Sequence, residues 1–137
     1  MLTRIDHIGV AVDDLDAAIA LYEQRLVLPL VHREVIEEIG MELVLLDVGE
    51  SHVELLAPVR EDSMLSAFLA EHGPGLHHVA YGTDDIEAEI ARLVDEGMAL
   101  IDAVPRTGIR GSRIAFLEPA GTGHVLTELV QAAPGHR

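Results

Sequence analysis

The sequence predicts an α+β fold made of two tandem modules, each with the element order β-α-β-β-β. Three observations carry this expectation. First, sliding the chain by 71 positions lays His7–Ala20 on His78–Ala91, and six of the 14 pairs are identical. Average residue usage would give about one identity by chance. Second, Val53-Glu54-Leu55-Leu56 resembles Thr127-Glu128-Leu129-Val130 at an offset of 74, so each half carries an early His and a late Glu. Third, strand patterns, helix caps and turn residues follow one another in the same order in both halves. The 137 residues fit one domain. Module one is expected over about residues 3–60, a linker helix over about 61–75, and module two over about 76–131.

The elements follow in turn. Residues 3–11 read as a strand, and Asp13 or Asp14 then caps a helix with Leu15, Ala18, Ile19 and Tyr22 on one face. Val31–Glu37, Glu42–Val48 and His52–Leu56 read as strands, with turns at Gly40 and Gly49-Glu50. A short helix from Ser63 to Glu71 ends at Gly73-Pro74. Module two restarts with a strand over His77–Gly82. Asp84 or Asp85 caps a helix carrying Ile86, Ile90, Leu93 and Val94, which Gly97 closes. Strands near 99–104, 112–118 and 124–130 complete it.

Composition removes whole classes of chemistry. The chain has no Cys, so no thiolate nucleophile, Fe–S cluster or disulfide is available. It has no Lys, which excludes a Schiff base and a P-loop. Its 24 acids against 9 Arg give a net charge of -15, which disfavours nucleic acid and anionic membranes as partners. No signal sequence opens the chain and no long apolar run occurs, so it reads as soluble and cytoplasmic.

His and Glu are left to carry chemistry. Strand alternation puts Ile5, His7 and Gly9 on one face, His52, Glu54 and Leu56 on one face, and His124, Leu126, Glu128 and Val130 on one face. If the modules pair about a pseudo-twofold axis, His7 meets His78 and Glu54 meets Glu128. Two imidazoles and two carboxylates suit Zn, Co, Ni, Mn or Fe(II). His52, on the Glu54 face, is a candidate neighbour of that set. His77 points away from His78, and His32, His72, His124 and His136 read as surface residues. The repeated Asp pairs are explained by helix capping. Glu42, on the face of Val44 and Leu46, is a candidate base that could reach the same concavity as Glu54. A carboxylate among apolar neighbours has a raised pKa suited to that task. Arg106, Arg110 and Arg113, with Gly111 and Ser112 among them, form the one basic cluster and are candidates for holding a carboxylate or phosphates.

At "DHIGVAV", "GLHHVAY", "VELLAP" and "HVLTELVQ" the chain resembles the vicinal oxygen chelate superfamily, and within it the methylmalonyl-CoA epimerases. The linker "LLAPVREDSMLSAFLAEHGPGLHHVAY" and "GSRIAFLEP" are the most specific stretches. The resemblance implies a cupped eight-stranded sheet around a divalent metal (Co, Mn, Ni, Zn or Mg, with Co favoured). It places His7, His78 and Glu128 on ligand positions and Glu54 on the fourth, where some epimerases carry Gln. Glu42 falls near the catalytic-base position after a one-residue shift beyond Gly40, and Glu128 is the base for the other face of the substrate. The implied reaction interconverts the 2R and 2S forms of methylmalonyl-CoA through an enolate, in a homodimer. Glyoxalase I, which the set of two His and two Glu also fits, stays open. So does a metal-free small-molecule binding protein of the same fold.

Overall fold

The computed structural model describes residues 1–136. Its eight strands are hydrogen-bonded in the order β2-β3-β4-β1-β5-β8-β7-β6, a mixed sheet consistent with the α+β expectation. The chain separates into two compact units, His7–His77 and Met1–Asp6 together with the residues from His78 onward, so β1 (Leu2–Ala11) contributes to both.

In the unit His7–His77, β2 (Leu30–Ile36), β3 (Met41–Val48) and β4 (Ser51–Pro58) form an antiparallel meander. The second half of β1 lies parallel to β4. A parallel neighbour needs a crossover connection, and α1 (Leu15–Ala20) starts that crossover. Asp14 caps α1 by accepting the Ala17 N–H at 3.1 Å. The helix then widens into a π turn over Leu21–Arg25. Leu15 and Ile19 pack on Val44, Leu46, Val53, Leu55 and Ala57, with Ala18 and Tyr22 at the margin. Every strand residue in that set lies on one face of the β3–β4 hairpin, because Val44↔Leu55 and Leu46↔Val53 are cross-strand partners. Gly40 takes a left-handed conformation (φ 63°) before β3, and a Cβ there would meet the Arg60 guanidinium at 2.9 Å. The linker helix α2 (Met64–His72) is capped by Ser63 and stops at Gly73.

The other unit repeats the plan with β5 (Gly75–Thr83), α3 (Ile86–Asp95), β6 (Arg106–Thr107), β7 (Arg113–Leu117) and β8 (Thr127–Gln131). Asp85 caps α3 through the Ala88 N–H at 3.1 Å, the counterpart of Asp14. Ile86, Ile90 and Leu93 pack on Ala115, Leu117 and Leu129. Leu129 is fully buried, so Leu129→Ala should destabilise the protein by roughly 2–5 kcal/mol through lost transfer energy plus a cavity. Urea unfolding measures this, and a cost under ~1 kcal/mol would mean that the site collapses around the truncation.

Two elements differ from the sequence expectation. Residues 99–104 make only the single bridge Leu100↔Leu117 instead of a strand. The Phe116 carbonyl accepts from both Ile101 N (2.8 Å) and Asp102 N (3.2 Å), while the Asp102 carboxylate takes the Phe116 N–H at 2.9 Å. A side chain thus replaces the ladder partner that a continuing strand would supply. The last strand starts at Thr127, because the chain first passes through a 3-10 turn at Pro119–Thr122 and a left-handed His124 (φ 69°). Among the described residues no helix is long and apolar enough to cross a membrane.

Candidate metal and substrate site

Each unit carries one buried His–Glu pair, and strand register explains both. In the unit His7–His77, β1 and β4 are parallel with His7↔His52 and Gly9↔Glu54 as partners, so His7, His52 and Glu54 share a face. It is the face that α1 does not cover, since Val53 and Leu55 point toward α1. His7 and Glu54 are both 3% exposed, and His7 Nε2 lies 3.6 Å from Glu54 Oε2. His52 is held by Asp47, its cross-strand partner, at 2.9 Å. Leu43, Leu45 and Leu56 lie on this same face, and all three are buried.

In the other unit, β5 and β8 are parallel with Ala80↔Glu128 as partners, which puts His78 and Glu128 on one face. Both are buried, and His78 Nε2 lies 3.1 Å from Glu128 Oε2. Phe116, opposite Glu128 on β7, meets the His78 ring edge-to-face at 5.6 Å. Arg106 pairs with Ile114, so it lies on this same face, with its guanidinium 5.7 Å from the Phe116 ring centroid.

The placement of the remaining sequence candidates is uneven. Glu42 pairs with Ala57 and lies on the face that packs against α1, opposite to Glu54. The strand pattern predicts Glu42 in the Glu54 concavity; the register turns it away. Its carboxylate accepts from Arg33 Nε at 2.7 Å, and Arg33 also reaches Asp16 at 3.2 Å. Those contacts, Glu42 first, hold the Arg33 guanidinium above its ordinary pKa. The Arg cluster is likewise split by alternation. Arg113 is ion-paired with Glu87 of α3, which also raises its pKa. Arg110 takes a left-handed conformation (φ 58°) next to Gly111 in a 3-10 turn. Ser112 is buried, and its Oγ is the buried side-chain polar atom without a hydrogen-bond partner among the described residues. Gly108 makes room for it: a Cβ there would come within 2.8 Å of both Ser112 Oγ and Ile114 Cγ2. His77 packs on Phe68 at 4.7 Å, away from His78 as alternation requires.

Sequence reasoning missed Phe116, Asp47 and Asp102. The first two had a usable signal, since each stands across a hairpin from a named candidate. Asp102 had none, because its part depends on the irregular chain at 99–104.

Comparison with known proteins decides the family. The profile of the glyoxalase/bleomycin resistance protein/dioxygenase superfamily matches residues 6–116. The chain belongs to this superfamily, the vicinal oxygen chelate proteins. The resemblance read from the motifs is therefore borne out, as is the fold class. Relatives of this glyoxalase-superfamily chain include the uncharacterized protein YqjC of Bacillus subtilis, 37% identical over 130 residues, covering 95% of this chain and 93% of that protein. The mitochondrial methylmalonyl-CoA epimerase of Bos taurus is 33% identical over 132 residues, covering 96% of this chain and 75% of the relative. Among solved structures, a substituted form of Streptomyces coelicolor methylmalonyl-CoA epimerase in complex with 2-nitronate-propionyl-CoA superposes with a TM-score of 0.93. It shares 43% identity and covers 100% of this chain and 99% of its own.

Proposed function

We propose that the protein is a metal-dependent methylmalonyl-CoA epimerase, acting on a CoA thioester by proton transfer at the carbon α to the carbonyl. The observation that supports it most is the repeated buried pair, His7–Glu54 and His78–Glu128, on a chain with epimerase relatives. The donor chemistry fits a divalent ion. Burying a carboxylate is costly without a compensating charge, and imidazole with carboxylate suits borderline divalent metals. In this reading the four residues share one ion, Co, Mn, Ni, Zn or Mg. A bound divalent ion supplies positive charge that favours the enolate oxygen as it develops.

The chain's own residues do the rest. Glu128 takes the C2 proton from one face of the substrate. The epimer forms when the planar enolate is reprotonated from the opposite face by water, since Glu42 is turned away from it. Ser112 Oγ, buried and without a hydrogen-bond partner among the described residues, donates to a substrate oxygen. Arg106 faces the same side of β7 and attracts the substrate's negative charge in an otherwise acidic molecule. Purified protein reconstituted with divalent metal should wash deuterium into C2 of methylmalonyl-CoA in D₂O. No exchange with any of these metals sinks the reading.

Glu42→Gln separates the geometry from the motif-based expectation. Because Glu42 stands on the α1 side of the hairpin, exchange should stay within about twofold of wild type, while the lost Arg33 ion pair costs at most about 1 kcal/mol. A large drop in exchange at unchanged metal content would restore Glu42 as a base. The buried Leu43 and Leu45, where β3 faces the Glu54 side, also favour a second reading: a one-base isomerase such as glyoxalase I. Turnover of the glutathione–methylglyoxal hemithioacetal without C2 exchange of methylmalonyl-CoA would select it.

A further inference from the structure

We propose that Arg106 selects for the free carboxylate on the α carbon of the thioester, and that Asp102 is the residue that positions Arg106. The proposal rests on the methylmalonyl-CoA reading above and names the residues that recognise the substrate's carboxylate.

The geometry of one unit carries the inference. Arg106 stands on β6 opposite Ile114, on the face that bears Phe116, Glu128 and His78. Its guanidinium lies over the Phe116 ring, and that ring touches His78 edge-on. A cation placed over an aromatic face is held in direction as well as position. Asp102 fixes the other side: Oδ1 accepts from Arg106 Nε at 3.2 Å while Oδ2 accepts the Phe116 N–H at 2.9 Å. One carboxylate thus ties the Arg to the strand residue it stacks on. Nε is the only Arg106 nitrogen used among the described residues, so the Nη1 and Nη2 groups stay available. The side chain is 45% exposed, so a ligand can reach it. Two Nη groups on one edge match the two oxygens of a carboxylate, a recognition that Lys does not reproduce. The neighbouring arginines are less suited. Arg113 is committed to Glu87, and Arg110 sits in a left-handed turn.

Malonyl-CoA and acetyl-CoA differ only by that carboxylate, so their binding compared by calorimetry isolates it. The wild-type protein should bind malonyl-CoA at least about tenfold more tightly than acetyl-CoA, the discrimination expected when a charged partner would otherwise be left unmatched. Arg106→Gln should bring the two dissociation constants to within about twofold of each other, with malonyl-CoA losing more affinity than acetyl-CoA. Asp102→Asn keeps an oxygen for the Phe116 N–H and removes the charge that orients Arg106, so its preference should fall between the two. Thermal unfolding verifies that both variants fold. A wild-type protein without the preference, or an Arg106→Gln variant that keeps it, overturns the proposal. Full preference in Asp102→Asn overturns the positioning role. The ratio of the two affinities does not depend on turnover. A preference for malonyl-CoA without C2 exchange would therefore leave this inference standing and remove the epimerase reading, and the converse result would do the opposite.

Discussion

If the protein is the proposed metal-dependent epimerase, Glu128→Gln should slow C2-proton exchange by about 10³-fold while fold and metal content are kept. The amide preserves shape and an oxygen donor but cannot accept the proton. Position matters as much as chemistry. Glu128 stands mid-strand on β8, buried, with Phe116 on one neighbouring strand and Ala80 on the other. Its carboxylate lies 3.1 Å from His78 Nε2, so a rotamer change that would carry it away from the site is opposed on both sides. General-base loss costs about 10²–10⁴ in rate, and the middle of that range is expected where geometry is otherwise intact. Exchange in D₂O at saturating methylmalonyl-CoA gives the rate, elemental analysis the metal content, and thermal unfolding the integrity. A variant that keeps its metal and exchanges within tenfold of wild type would show that the proton goes elsewhere.

The two His–Glu pairs were legible from the sequence because they combine a repeat with the two-residue period of a strand. His7 and His78 sit at equivalent positions of equivalent strands, and alternation assigns each to a face without further information. Glu42 was not legible for the opposite reason. The run Met41–Val48 is buried on both faces from Leu43 to Leu46, so its pattern does not reveal which side α1 covers. Only the pairing Glu42↔Ala57, with Ala57 packed in the α1 core, places the carboxylate. The Arg cluster fails similarly. A loop containing Gly108 and Gly111 reads as one basic patch, but the strands on either side restore alternation, and Arg106 and Arg113 part company. The missing strand at 99–104 has a local cause that no periodicity encodes: the carboxylate of Asp102 occupies the Phe116 N–H.

Removing either repeated histidine should abolish the response of the whole protein to metal. Wild-type protein at an ion concentration of 100 times the dissociation constant gains about 2.7 kcal/mol of stability from binding. For a chain of this size that is a rise of roughly 8–14 °C in unfolding midpoint, at about 3–5 °C per kcal/mol. On the proposed reading His7→Ala and His78→Ala should each lose most of that rise, because each would remove a proposed donor and leave its partner carboxylate buried without it. The comparison between the two variants is the informative part. His7 and Glu54 belong to one compact unit, His78 and Glu128 to the other. If the four residues share one ion, wild type binds one equivalent, and loss of either His removes the whole response, whichever unit it lies in. If the pairs act separately, wild type binds up to two equivalents, each variant keeps about half of the stabilisation, and a His7→Ala/His78→Ala double variant is needed to remove it. Titration of the metal-free protein with Co, Zn or Mn, read by unfolding midpoint and by stoichiometry, distinguishes these outcomes without any turnover. The second pattern would remove the shared ion and, with it, the metal-assisted route to the enolate.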